Sequence, residues 1–119
     1  MKIGLVLNTT PYSFEYTDIV INMAKEAIKK GHEVKVFLFI DGVYNSLRSL
    51  TPPLPEERDI SSLLKELVGL GVDIKVSLPC ATVRGIGGEE IITKGMKYED
   101  ISYIGRLVAE CDRVVAFSY

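Results

Sequence analysis

Apolar residues fall along this chain in two alternating rhythms, short continuous runs and longer stretches repeating at helical spacing. A short run bounded by turn residues fits a buried strand, and the helical spacing fits a helix with one apolar face. Lys2 to Leu7 is the first short run and predicts a strand. Phe14 to Lys30 carries Phe14, Ile19, Val20, Met23, Ala24 and Ala27 at helical spacing, and Gly31 follows as a C-terminal cap. Glu33 to Ile40, rich in Val, Phe and Ile, predicts the second strand and is punctuated by Asp41-Gly42. A short helix is expected over Val43 to Leu50. Thr51-Pro52-Pro53-Leu54-Pro55 has too many prolines for regular helix or central strand and reads as an exposed loop. Ile60, Leu63, Leu64 and Leu67 mark a helix over Ile60 to Leu70, closed by Gly71. Val72 to Leu78 predicts the third strand. Gly85 to Gly95 is broken by glycines, with a short strand expected at Glu89 to Thr93. Tyr98 to Cys111 places Ile101, Ile104, Val108 and Cys111 on one face of a last long helix, and Arg113 to Phe117 predicts the final strand.

Strands alternating with helices predict an α/β fold with right-handed crossovers. The expected architecture is a single three-layer domain over residues 1–119. Its sheet would be mostly parallel, of four to five strands, with helices on both faces. In open sheets of this kind, ligands bind beyond the carboxyl ends of the strands. The segments at that edge are Asn8-Thr9-Thr10-Pro11-Tyr12, Asp41-Gly42, Pro79-Cys80 and Ser118-Tyr119.

Composition narrows the function. The 119 residues fit one domain. With 47% hydrophobic and 25% charged residues, the chain is of ordinary soluble globular type. A net charge of −2, with no block of Lys and Arg, offers no basic face for nucleic acid. The first apolar run breaks at Asn8, too short for a signal peptide or a membrane span, so the cytosol is the expected location. Cys80 and Cys111 are the only cysteines and His32 the only histidine, too few for the four Cys and His ligands of a usual structural zinc site, so none is expected. No cofactor is expected.

Cys80 is the strongest chemical candidate. It follows the third predicted strand, where the chain turns into helix. There, free backbone N–H groups and the nearby Arg84, about one helical turn on, favour thiolate, the nucleophilic form. Free cysteine is also often a small buried hydrophobe, and local sequence leaves both roles open. Placement on the ligand-binding edge of the sheet favours the reactive one. Phosphatase-type cysteine loops need Arg six positions after Cys, where this chain has Ile86, and papain-like catalysis needs a histidine base. His32 falls at the opposite end of its strand, so Cys80 acts without a histidine, as thiolate nucleophile or sulfur carrier. Cys111, at a helix end before Asp112, reads as core. Asn8-Thr9-Thr10 invites comparison with a flavin phosphate loop, but Pro11 removes an N–H and no glycine allows close approach. Gly85-Ile86-Gly87-Gly88 lacks the Lys and Ser/Thr of a phosphate-binding P-loop. Asp41 is either a plain turn residue or a carboxylate facing Cys80 across the strand-end crevice. Thr82, Gly85 and Tyr12 complete the candidate lining.

Four segments together resemble the DsrE/DsrF/TusD family of small sulfur-relay proteins, over essentially the whole chain. They are Phe37-Leu38-Phe39-Ile40-Asp41-Gly42-Val43, the run from Gly71 through Val72-Asp73-Ile74-Lys75-Val76-Ser77-Leu78-Pro79 to Cys80, Ala81-Thr82-Val83-Arg84-Gly85, and Cys111-Asp112-Arg113-Val114-Val115-Ala116-Phe117. The resemblance implies an α/β subunit that assembles as homo- or hetero-oligomers, often trimers or hexamers. It also implies sulfur carried as a persulfide on Cys80, taken from a donor protein and passed to an acceptor protein. Family members without the cysteine are structural partners, so a non-catalytic oligomeric module is the competing class. The Thr51 to Pro55 loop and Pro79 depart from the family pattern.

Overall fold

Alternation within the strands sorts the apolar side chains onto two faces, and the connections decide which helix covers each. The strands are β1 (Lys2–Leu7), β2 (Glu33–Leu38), β3 (Asp73–Ser77), β4 (Lys97–Glu99) and β5 (Arg113–Phe117). The helices are α1 (Tyr16–Lys29), α2 (Ile60–Gly69), α3 (Leu78–Val83) and α4 (Tyr103–Glu110). The structure is a computed structural model and describes residues 1–52 and 54–119. The five strands form one sheet in the order β4-β3-β2-β1-β5, and every pair is parallel. From β1 to β4 the chain steps one way across the sheet, so right-handed crossovers put α1 and α2 on one face. The return from β4 to β5 brings α4 to the other.

The first face carries the main core: Leu5 and Leu7, Val34, Val36 and Leu38, Ile74 and Val76, packed by Val20, Ile21 and Ala24 of α1 and Ile60, Leu64 and Leu67 of α2. Full burial of a side chain such as Leu64 or Leu67 contributes roughly 1.5–3 kcal/mol. The second face is narrower in apolar content, with Val6 and Phe37 against Tyr103 and Leu107 of α4. Beside them Lys35 pairs with Glu110 at 3.2 Å and Lys75 with Asp73 at 3.3 Å. Burial works against the charge on Lys35, but Glu110, Asp73 and Glu33 outweigh it and raise its pKa.

Four expectations shift. Glu89 to Thr93 is not a strand: Glu89–Ile91 is a single 3-10 turn, and Ile92 makes only an isolated antiparallel bridge to Leu47. The segment is held instead by Thr93, whose N–H donates to the Ser46 carbonyl at 2.7 Å. Val43 to Leu50 is not an α-helix, because the 3-10 segment Ile40–Ser46 ends with Leu47 extended. Buried Asn45 fastens it, donating to the Thr9 and Gly42 carbonyls and accepting from the Thr17 hydroxyl. The last helix starts at Tyr103 rather than Tyr98, since Lys97–Glu99 is drawn onto the edge of the sheet beside β3. Finally, Phe14, Ile19 and Met23 lie exposed outside the buried face of α1, as do Ile101 and Val108 around α4.

The expected loop Thr51 to Pro55 includes Pro53, which lies outside the described residues; Thr51, Leu54 and Pro55 are exposed. Among the described residues, no helix is long and apolar enough to cross a membrane.

Candidate functional site

Because all strands run parallel, the segments that follow β1, β2, β3 and β5 emerge along one edge of the sheet. The site is assembled there. After β3, Ser77 stops the strand and caps α3, its hydroxyl accepting from the Cys80 N–H at 3.4 Å. Pro79 occupies the second helical position, where a missing N–H costs nothing. Cys80 therefore sits in the first turn of α3, half-buried, its apolar side packed against the main core. Two residues before it Leu78 is 42% exposed, and three after it Val83 is 79% exposed, so α3 itself carries apolar surface whose removal from water is favourable.

The far end of α3 fixes Arg84. The Ile86 N–H reaches back to the Ala81 carbonyl at 3.0 Å and the Gly85 N–H to the Thr82 carbonyl at 3.0 Å. This paired helix-ending pattern requires a left-handed residue, and Gly85 supplies it at φ 75°. Gly85 is thus a cap that aims Arg84, while Thr82, exposed, packs its hydroxyl toward Gly87. The Arg84 guanidinium turns inward over the first turn of its own helix. Nη1 donates to the Cys80 carbonyl at 3.1 Å, and Nε donates to Asp41 Oδ1 at 2.9 Å. The charge of Arg84 is thus shared with a carboxylate, and its grip on Cys80 is through the backbone.

Asp41 comes from the turn after β2. Ile40, just before it, holds φ 52°, a left-handed conformation that a β-branched residue rarely adopts. Gly42, just after it, passes so close to β1 that an added Cβ would lie 1.8 Å from the Leu7 carbonyl oxygen. Together they bring the carboxylate back toward α3. Its second oxygen, Oδ2, accepts from the hydroxyl of Tyr119, which follows β5. The Tyr119 hydroxyl and then Arg84 hold the Asp41 carboxyl below the usual carboxylate range, and the same hydrogen bond raises the Tyr119 phenol above its usual value.

Of the sequence candidates, the structure brings Cys80, Arg84, Asp41 and the Gly85 cap into one group. Tyr12 does not join it. At φ 69°, Tyr12 donates its hydroxyl to the Arg58 carbonyl at 3.0 Å and accepts from the Ile60 N–H at 3.3 Å, bracing the start of α2. Two residues escaped the sequence reading. Ser77 was legible in principle, as a Ser followed three positions later by the helical residue it caps. Tyr119 was placed on the edge, but no local signal tied it to Asp41, 78 positions away. Cys111 lies apart, against β1 and α4, its thiol pKa raised chiefly by burial.

The arrangement is a half-buried cysteine whose backbone is held on both sides, by Ser77 at its N–H and Arg84 at its carbonyl. Two surface pockets, of about 350 Å³ around Asp18 and Arg58 and about 460 Å³ around Lys2 and Asp112, are not lined by Cys80, Asp41 or Arg84. Comparison with known proteins bears on what the thiol is for. A model of the DsrE/DsrF-like family matches residues 1–117. A putative sulfurtransferase DsrE of Allochromatium vinosum is 33% identical over 129 aligned residues, covering 98% of both chains. A sulfurtransferase TusD homolog of Aliivibrio fischeri is 27% identical, covering 96% of both. The crystal structure of the ychN protein from E. coli superposes with a TM-score of 0.84 at 24% identity, over 98% of this chain and 99% of that one, and shares the fold. With a family match running almost end to end, the chain belongs to the DsrE/DsrF-like family.

Proposed function

We propose that this protein is a sulfurtransferase that carries sulfur as a persulfide on Cys80 and passes it between partner proteins. The observation that carries the reading is the position of Cys80: half-exposed, on the carboxyl edge of a parallel sheet, with its carbonyl held by Arg84 and its N–H by Ser77. Two relatives named as sulfurtransferases support the reaction class. The Cys80 thiolate attacks the outer sulfur of a donor persulfide; the donor's S–S bond breaks and the donor leaves as thiolate. An acceptor thiolate then attacks the outer sulfur on Cys80, and Cys80 leaves as thiolate. Each step moves one sulfur atom between thiols, so the relay needs no external oxidant or reductant. The exposed apolar residues Leu78 and Val83 favour protein donors and acceptors, whose thiols arrive with apolar surface of their own.

Incubation with a persulfide donor, followed by intact mass and peptide mapping, tests this. Wild-type protein is expected to gain one reducible sulfur atom on the Cys80 peptide. A Cys80→Ser variant that takes up the same sulfur would sink the reading.

The protein is further proposed to act as a homo-oligomer, a trimer or hexamer. Edge strand β5 has Val115 exposed, and Ile101 and Val108 are exposed around α4; a second copy of the chain covers these faces.

A further inference from the structure

We propose that Tyr119 is a positioning residue for Cys80: its hydroxyl fixes Asp41, Asp41 fixes the Arg84 guanidinium, and Arg84 holds the Cys80 carbonyl so that the sulfur is presented outward. The inference rests on the reading of Cys80 as the sulfur carrier and adds to it a residue outside the cysteine's own segment. Each link is a hydrogen bond: Tyr119 to Asp41 Oδ2, Arg84 Nε to Asp41 Oδ1 at 2.9 Å, and Arg84 Nη1 to the Cys80 carbonyl at 3.1 Å. Asp41 is the pivot, with one oxygen for each neighbour.

Tyr119 is 70% exposed, and a side chain that open holds one direction only if something stiffens it. Stacked aromatic rings do. Phe14 stacks on Tyr119 with ring centres 5.4 Å apart and planes 18° from parallel. Tyr16 stacks on Phe14 at 6.0 Å and 7°, and Phe117 of β5 leans on Tyr16 at 6.1 Å. The chain therefore returns through the rings to the strand that precedes Tyr119. This arrangement also accounts for Phe14, an exposed aromatic that α1 does not bury. At the other end, the apolar side of Cys80 touches the main core. Released from the clamp, the thiol follows that preference inward and meets reagents less often.

The experiment follows Cys80 in wild type, Tyr119→Phe, Asp41→Ala and the double variant. Tyr119→Phe keeps the stacked ring and removes only the hydroxyl. Two rates are read by peptide mapping: alkylation by iodoacetamide, with Cys111 as internal reference, and uptake of sulfur from a persulfide donor. Each single variant is expected to slow both rates at Cys80 by about tenfold, the worth of one hydrogen bond to a charged group. The double variant is expected to be no slower than the worse single, because the links act in series. Cys111 alkylation should not move, and the melting temperature should fall by only a few degrees, as loss of the Asp41 hydrogen bonds entails. An unchanged Cys80 rate in Tyr119→Phe, or single effects that multiply in the double, would overturn the positioning role. Should wild type take up no sulfur while alkylation follows the predicted pattern, the positioning role stands and the carrier reading fails.

Discussion

At the scale of single residues, what matters most here is how closely a backbone can pass. Gly42 lies against the Leu7 carbonyl, and an added Cβ would also come within 2.7 Å of the Leu7 carbonyl carbon. Backbone cannot move aside as a flexible side chain would, so Gly42→Ala is expected to destabilise the fold by about 3 kcal/mol, measured by urea denaturation. The same variant should slow Cys80, because it displaces Asp41, its neighbour. Titration offers a second check. The depressed carboxyl of Asp41 contributes stability that is fully present above the unfolded value near ~3.9 and fades as pH falls through the lower folded value. Tyr119 behaves in the opposite sense. Its contribution is full below ~10 and fades as pH rises through its raised folded value. In a carbon-detected NMR titration, the Asp41 midpoint is expected below ~3.9 and should rise in Tyr119→Phe, which removes the larger of its two hydrogen-bonding causes. A midpoint that ignores the change at Tyr119 would contradict the hydrogen bond. Cys80 and Arg84 were legible as a pair because helical spacing is local. That Arg84 spends its charge on Asp41 was not, since the partner lies 43 positions away.

At the scale of elements, β4 shows how tertiary pairing overrides a local pattern. Tyr98 sits in a stretch that reads as the start of the last helix, yet the structure pairs Lys75 with Lys97, Val76 with Tyr98 and Ser77 with Glu99. One side chain anchors this short strand. The Tyr98 hydroxyl accepts from the Gly88 N–H at 3.1 Å and donates to the Gly88 carbonyl at 2.9 Å, tying β4 to the glycine-rich segment after α3. Tyr98→Phe is expected to cost about 1 kcal/mol in global stability. It should also speed amide hydrogen exchange across Gly85 to Gly95 more than in β1 or β2, a difference that mass spectrometry resolves. Uniform exchange in the variant would mean that β4 is held by its ladder alone. Helix α3 offers the contrasting case. Ser77, Pro79 and Gly85 are each the residue its position calls for, as cap, first-turn proline and left-handed terminator. Pro79 is thus accounted for by helix geometry.

At the scale of the whole molecule, apolar side chains stay exposed on both sides of the sheet. Helices α1 and α2 close the main core but leave Val115 of the edge strand, in register with Leu5 on that same face, exposed, whereas α4 covers the second face and leaves its own Val108 exposed. Static light scattering at micromolar concentration is expected to return a trimer or hexamer, and Val108→Asp combined with Val115→Asp should lower the mass without lowering helical content. A monomeric wild type at every concentration would contradict this. The alternation of strand and helix, the parallel sheet and the placement of Cys80 at its carboxyl edge all followed from sequence. Apolar periodicity and the handedness of crossovers are local or near-local rules, and they hold wherever a chain obeys them. The position of Cys80 at the start of a helical turn followed in the same way. Tertiary structure alone decided that the β4 segment would leave the helix for the sheet edge, that Tyr12 would brace α2 instead of the site, and that Tyr119, Asp41, Arg84 and Cys80 would meet. Those outcomes depend on strand order. Only when β5 lies beside β1, and β1 beside β2, does the residue beyond β5 come within reach of the turn beyond β2, and no spacing along the chain encodes that neighbourhood.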